Sequence, residues 1–182
     1  LNEQALMMVG ALMPQADKLG IHASQSVEGA TIIDFGVDAS GGLEAGLRLA
    51  EICLAGRAKV SLVPNKTPLP ARTSVHVESD QPLAACMASQ YAGWQIVTDD
   101  FFAMGSGPMR AAAAREDLFN EIGFSETPTS VVGILETSSF PTESACQLIA
   151  EACSLPVEQL TLLIAATASQ AGTVQIVARA LE

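Results

Sequence analysis

The stretch Phe101-Phe102-Ala103-Met104-Gly105-Ser106-Gly107-Pro108-Met109-Arg110 joins an apolar run to a helix start through two glycines, and no other part of the chain is punctuated so sharply. Upstream, Trp94-Gln95-Ile96-Val97 has the bulk of a buried strand, and downstream Met109 to Arg115 is rich in helix-forming alanine. Pro108 suits the first helical position, where its missing N–H removes no hydrogen bond. Glycines let backbone N–H groups approach a ligand closely, and a helix start offers an anion free donors and partial positive charge. The stretch therefore reads either as an anion or cofactor loop or as a tight strand-to-helix turn with no ligand. It is not a dinucleotide-binding fingerprint, because Arg110 stands where the third glycine would be, and no Gly-Lys-Ser/Thr follows to make a phosphate loop.

Working outward, the same grammar recurs. Ala30 to Val37 is β-branched and strand-like, the Ser40-Gly41-Gly42 turn follows, and Leu43 to Leu54 places Leu43, Leu47, Ala50 and Leu54 on one helical face. Asn2 to Leu19 has helical spacing with Gly20 to stop it, and His22 to Ser26 forms a hairpin-like partner for Ala30 to Val37. Lys59–Val63 and Thr73–Val77 read as strands around a proline-rich loop. Gln81–Ala92 reads as a helix, and Glu116–Ile122 as a short helix closed by Gly123. Ser130–Leu135 is a strand, Thr142–Ala152 a helix and Leu160–Ala166 a buried strand. Thr173 to Glu182 is helical, with Val174, Val177, Ala178 and Leu181 as its apolar face. Strands alternating with helices imply an α+β fold, mixed sheets with covering helices.

The 182 residues are 49% hydrophobic and only 4% aromatic, so a sizeable core must be built mainly from Ala, Val, Leu, Ile and Met. A net charge of -11, with nine scattered Lys and Arg, argues against nucleic acid and anionic membranes and points to small molecules or proteins as partners. No apolar run reaches the roughly 20 residues that span a bilayer. Cys53, Cys86, Cys146 and Cys153 lie among small or apolar neighbours with no C-x-x-C pair, so they read as buried thiols in a reducing cytoplasm.

The last segment carries the most chemistry. Gln175, Arg179 and Glu182 line up along one helical face, away from the apolar one. An Arg three residues before a Glu can hold that carboxylate ionised and orient it, which suits a general base; a solvated surface pair worth about 0–1 kcal/mol gives the same pattern. No stop signal follows Glu182, so a longer polypeptide is expected. His76, Glu78 and Asp80 alternate along a strand as a metal site would need, but only His22 remains as a further histidine to complete one. Asp99 and Asp100 read as paired carboxylates or as turn residues, and Asp34 as a binding or a turn-stabilising aspartate.

Together, Gly29-Ala30-Thr31-Ile32-Ile33-Asp34, Glu44-Ala45-Gly46, Gln90-Tyr91-Ala92-Gly93-Trp94, Phe102 to Pro108 and Val174-Gln175-Ile176-Val177-Ala178-Arg179 resemble the methenyltetrahydromethanopterin cyclohydrolases, over essentially the whole chain. The resemblance implies a two-domain family fold with a pterin pocket between domains, assembled as a homotrimer. This chain would be its N-terminal portion, with the remaining C-terminal part of the same polypeptide as a partner. It implies reversible, metal-independent hydrolysis of the N5,N10-methenyl pterin to the N5-formyl pterin, with tetrahydromethanopterin as the one-carbon carrier. The family's Arg and Glu fall on Arg179 and Glu182, and a lysine of many archaeal members falls on Tyr91. A tyrosine can donate a hydrogen bond but brings no positive charge, and it points to the branch that serves formaldehyde oxidation rather than methanogenesis. Gly41, Gly42, Gly105, Ser106, Gly107, Ser169 and Gln175 are the expected substrate-binding positions. A non-catalytic pterin-binding or assembly module is the alternative, and a phosphate-dependent enzyme using the Gly105 loop is a third reading.

Overall fold

A computed structural model describes residues 1–26, 28–64 and 73–179. Eight strands are present among them: β1 (His22–Gln25), β2 (Thr31–Gly36), β3 (Lys59–Pro64), β4 (Thr73–Glu78), β5 (Trp94–Val97), β6 (Phe102–Ser106), β7 (Val131–Glu136) and β8 (Leu160–Ala165). Six of them make one mixed sheet in the order β1-β2-β8-β7-β6-β5, and β3 and β4 pair as a separate antiparallel hairpin. At the centre, β2, β8 and β7 run parallel, while β1, β6 and β5 are antiparallel additions.

Alternation along the central strands sends side chains to two cores. Ile32, Leu135, Leu162 and Ile164 pack with Ala145, Ile149 and Cys153 of α6 (Glu143–Cys153) on one face. Their neighbours Ile33, Ile134 and Leu163 pack with Ala5 and Val9 of α1 (Asn2–Leu12) and Leu49 and Ile52 of α3 (Leu43–Cys53) on the other. Because both faces are buried, these strands are mainly apolar runs rather than alternating ones. The last helix, α7 (Gln170–Arg179), joins the α3 face, where Gly46 allows contact: a Cβ there would lie 2.7 Å from Val174 Cβ. No helix of the described residues is long and apolar enough to cross a membrane.

Several local expectations change. Asn2–Leu19 is not continuous: Pro14 lies in a 3-10 turn at Met13–Gln15, and α2 (Ala16–Leu19) completes the run to Gly20 at φ +64°. In α3, Leu43 is 49% exposed and the buried set is Ala45, Gly46, Leu49, Ala50, Ile52 and Cys53, because the helix is sandwiched between the sheet and α7 rather than lying on one surface. The segment after Pro82 is a π-helix over Leu83–Gln90. The stretch expected as a glycine loop is strand β6 as far as Ser106, held between β5 and β7, before α4 (Met109–Ala113) begins; α5 (Asp117–Ile122) follows. Three cysteines are buried, but Cys86 is only partly so. Asp34 serves its turn: Oδ1 accepts from the Gly36 and Val37 N–H groups and Oδ2 from those of Asp38 and Ala39. Asp100 Oδ1 accepts from Thr98, Thr142 and Ser144, tying the β5–β6 turn to the start of α6.

Candidate active site

The chain leaves β8 toward the α3 face through α7 and leaves β7 toward the opposite face through α6. Connections that part in this way open a crevice at the carboxyl ends of the parallel strands, which is where open α/β sheets place ligands. A cleft of about 450 Å³ lies there, lined by Phe102 and Met104 of β6, Glu136 and Thr137 at the end of β7, and Ala166 and Thr167 after β8.

Glu136 is the last residue of β7 and sits half-buried at the mouth of this cleft. Thr167 Oγ1 donates to its Oε1 at 2.7 Å, and Arg179 Nη2 donates to its Oε2 at 2.9 Å. Burial by itself would raise the Glu136 carboxyl, but the hydrogen bonds from Thr167 and Arg179 and the charge of Arg179 outweigh it and hold the group below the ordinary carboxylate range. Arg179 belongs to the last turn of α7 and is 15% exposed; its Nη1 is buried and has no hydrogen-bond partner among the described residues. Arg179 is thus largely buried and pairs with Glu136 through one edge of its fork. The pair expected with Glu182 lies outside the described residues.

The polar line of α7 continues inward. Gln175 is 2% exposed and its Nε2 donates to Cys53 Sγ at 3.4 Å, whereas Val177, expected on the apolar face, is 47% exposed. The helix turns its small residues Ala171, Gly172, Val174 and Ala178 inward, and the polar residues take the next sector. Cys53 also lies 3.5 Å from Ser106 Oγ and 4.0 Å from the Gln90 carbonyl. Burial pushes its thiol up, and the hydrogen bonds with Ser106 and Gln175 and the charges of Arg179 and Arg110 pull it partly back. A buried polar layer thus runs from Arg179 through Gln175 and Cys53 to Gln90, whose side-chain amide is fully buried and has no partner among the described residues.

The other expected positions fall in three groups. Gly41, at φ +53°, presses on the end of β2, where a Cβ would meet the Phe35 carbonyl at 2.1 Å, and Gly42 caps α3. Ser169 Oγ accepts from the Gly172 N–H and donates to the Ala166 carbonyl, so it opens α7 on the cleft edge. Gly105, Ser106 and Gly107 are buried one layer in: Met104 is the residue of β6 paired with Glu136, while Gly105 pairs with Leu135 and Gly107 abuts Ile134. Tyr91 follows the π-helix and is 40% exposed. Glu182 lies outside the described residues. Sequence reasoning missed Glu136 and Thr167, since a glutamate ending an apolar strand carries no local sign of a partner on α7. His76 and Glu78 stay exposed on β4, and among the described residues no three His, Cys, Asp or Glu side chains gather to hold a metal.

The family model described as Cyclohydrolase (MCH) matches residues 1–182. A methenyltetrahydromethanopterin cyclohydrolase of Xanthobacter autotrophicus is 46% identical over 175 residues, covering 96% of this chain and 52% of that protein. Proteins of the same name from Methylobacillus flagellatus and Methanococcoides burtonii are 40% and 37% identical over 181 and 182 residues, covering 55% and 57% of their lengths. The chain spans about half the length of the curated relatives it matches. On the match along its whole length, the chain belongs to the MCH cyclohydrolase family.

Proposed function

We propose that this chain is the N-terminal portion of an enzyme that reversibly hydrolyses N5,N10-methenyltetrahydromethanopterin to N5-formyltetrahydromethanopterin. The working form is a cytoplasmic homotrimer of two-domain subunits with the pterin between the domains. The observation that carries the reading is Arg179, held by Glu136 at a sheet switch point with its Nη1 unpaired among the described residues. Glu182, three residues on, is the proposed base. In the forward step the oxygen of a water adds to the cationic bridging carbon and its proton passes to Glu182. The hydroxyl so formed then gives up its remaining proton as the C–N10 bond breaks, leaving the formyl C=O on N5. The electron pair of the broken bond stays on N10, which takes up a proton, so that of the water's two protons one ends on N10 and one is released. Arg179 orients the base and favours its ionised form.

Glu136 has a second effect. Its charge is neutralised by Arg179, so it adds little attraction for the cationic substrate, which loses its charge on hydration. The cleft therefore avoids stabilising the ground state while keeping its arginine in place. Gly41, Gly42 and Ser169 form the glycine- and serine-lined edge of the pocket, Gln175 and Tyr91 complete its polar side, and Gly105-Ser106-Gly107 back the wall from behind. The proposed route needs no metal.

The test follows loss of the methenyl absorbance with the full-length protein. Glu182→Gln is expected to lower the rate by about 10²-fold or more, and a loss within about threefold would remove it as the base. Binding of the methenyl pterin with no turnover in the wild-type protein would instead support the non-catalytic pterin-binding module.

A further inference from the structure

The stretch from Gly105 ends on Arg110, a residue to which the proposed chemistry gives no task. Its side chain is fully buried in α4. Nε donates to Glu116 Oε1 at 2.9 Å while Nη2 donates to Oε2, a bidentate pair. Nη1 donates to the Met87 and Ser89 carbonyls at 3.0 and 3.2 Å. These carbonyls lie in the last turn of the π-helix, and that of Ser89 also accepts from the Gly107 N–H at 2.8 Å. The guanidinium lies over two rings, with Cζ 5.2 Å from the centroid of Tyr91 and 5.3 Å from that of Phe119.

Gly93 belongs to the same construction. A Cβ there would lie 2.0 Å from Glu116 Oε2 and 2.9 Å from Tyr91 Cε1, so the carboxylate and the ring together fill the space that a side chain would need. A buried ion pair is poor evidence of stabilisation by itself, because apolar residues of the same volume often serve as well. A planar fork that meets a carboxylate, two carbonyls and two rings is suited instead to fixing the geometry of what surrounds it.

We propose that Arg110 is a positioning residue for Tyr91: through Glu116 and the π-helix carbonyls it is itself locked, and its face sets the plane of the Tyr91 ring at the substrate side of the site. This inference rests on the reading that Tyr91 meets the pterin. It also gives the 105–110 stretch a role that is not anion binding, since its terminal residue holds another segment's side chain in register.

The experiment uses the full-length protein with 3-fluorotyrosine placed at position 91, with kinetics measured in two backgrounds. Arg110→Lys is expected to lower kcat about fivefold, with KM within about twofold, when Tyr91 is present, and to cause no further loss when combined with Tyr91→Phe. The fluorine resonance should move or broaden in Arg110→Lys. Equal losses in both backgrounds, or an unmoved resonance, overturn the proposal. If Arg110→Lys fails to fold, Glu116→Gln, which loosens the fork while keeping the guanidinium, is read by the same two outcomes. If Tyr91→Phe alone leaves kcat unchanged, the reading of Tyr91 in the chemistry falls, and the resonance alone then upholds or overturns the positioning role.

Discussion

Two regions of the molecule are built on the same numbers. In one, strand β2 at 31–36 leads through 37–42 into helix α3 at 43–53; in the other, β7 at 131–136 leads through 137–142 into α6 at 143–153. Ala45, Leu49, Ala50 and Cys53 in the first correspond to Ala145, Ile149, Ala150 and Cys153 in the second, and all are buried. Both strands flank β8 in parallel, yet their helices cover opposite faces of the sheet.

The difference lies in where each unit spends its carboxylate. In the first, Asp34 turns back on its own connection and binds four backbone N–H groups. In the second, the matching position is the core residue Ile134, and a carboxylate appears instead at Glu136, where the first unit has Gly36. Glu136 reaches across to other elements, Thr167 and Arg179. The lesson is that a carboxylate satisfied within its own turn serves that turn alone, whereas Glu136 fixes a cation on another helix at the edge of the candidate cleft.

The sharpest way to break this division is to remove Asp34. Asp34→Ala leaves four backbone donors without their acceptor and is expected to cost about 3 kcal/mol or more, measured by urea unfolding. A loss below about 1 kcal/mol would show the turn to be held by something else. Next comes Glu136→Gln, expected to lower kcat/KM by about 10- to 100-fold while changing stability by less than about 1.5 kcal/mol, since it loosens Arg179 without touching the turn. Large destabilisation with normal activity in the folded fraction would put Glu136 in the same class as Asp34.

A smaller effect concerns acid. Because the Glu136 carboxyl is held below its ordinary value in the folded protein, the unfolded chain binds more protons at low pH. Its contribution is complete above the ordinary carboxylate range near about pH 4.3 and is lost as pH falls through the lowered value. The melting temperature followed between about pH 6 and about pH 3 should fall less steeply in Glu136→Gln than in the wild type. Smallest of all, Arg48→Ala, which breaks the exposed pairs with Glu44 and Glu51 on α3, should change stability by no more than about 1 kcal/mol and leave activity alone.

Much of the fold could be read from local chemistry. The β-branched and leucine-rich runs that became β2, β7 and β8 and the glycines that end α2 and α5 declared themselves, because their tertiary setting agrees with their propensity. Strand β6 did not, since Phe-Ala-Met-Gly-Ser has no β-branched residue and becomes a strand only by pairing with β5 and β7. The face of α3 was misjudged for a similar reason, as a helix packed on two sides has no single stripe to find. At the site, Arg179 and Gln175 stood out by spacing on one helix. Glu136 and Arg110 did not, because each acts across long gaps in sequence, on Arg179 and on Tyr91. The recurrence of one strand–helix spacing was present in the sequence as a signal of where a second turn would sit.

Cys53 offers a built-in clock. It belongs to α3, yet its sulfur is enclosed by Gln90 at the end of the π-helix, Ser106 of β6 and Gln175 of α7, and its thiol is held protonated by burial. An alkylating reagent can meet that sulfur only when four elements from distant parts of the chain separate at once. The rate at which position 53 is labelled is therefore a count of how often the polar layer opens, and ligands that close the cleft above it should slow the count.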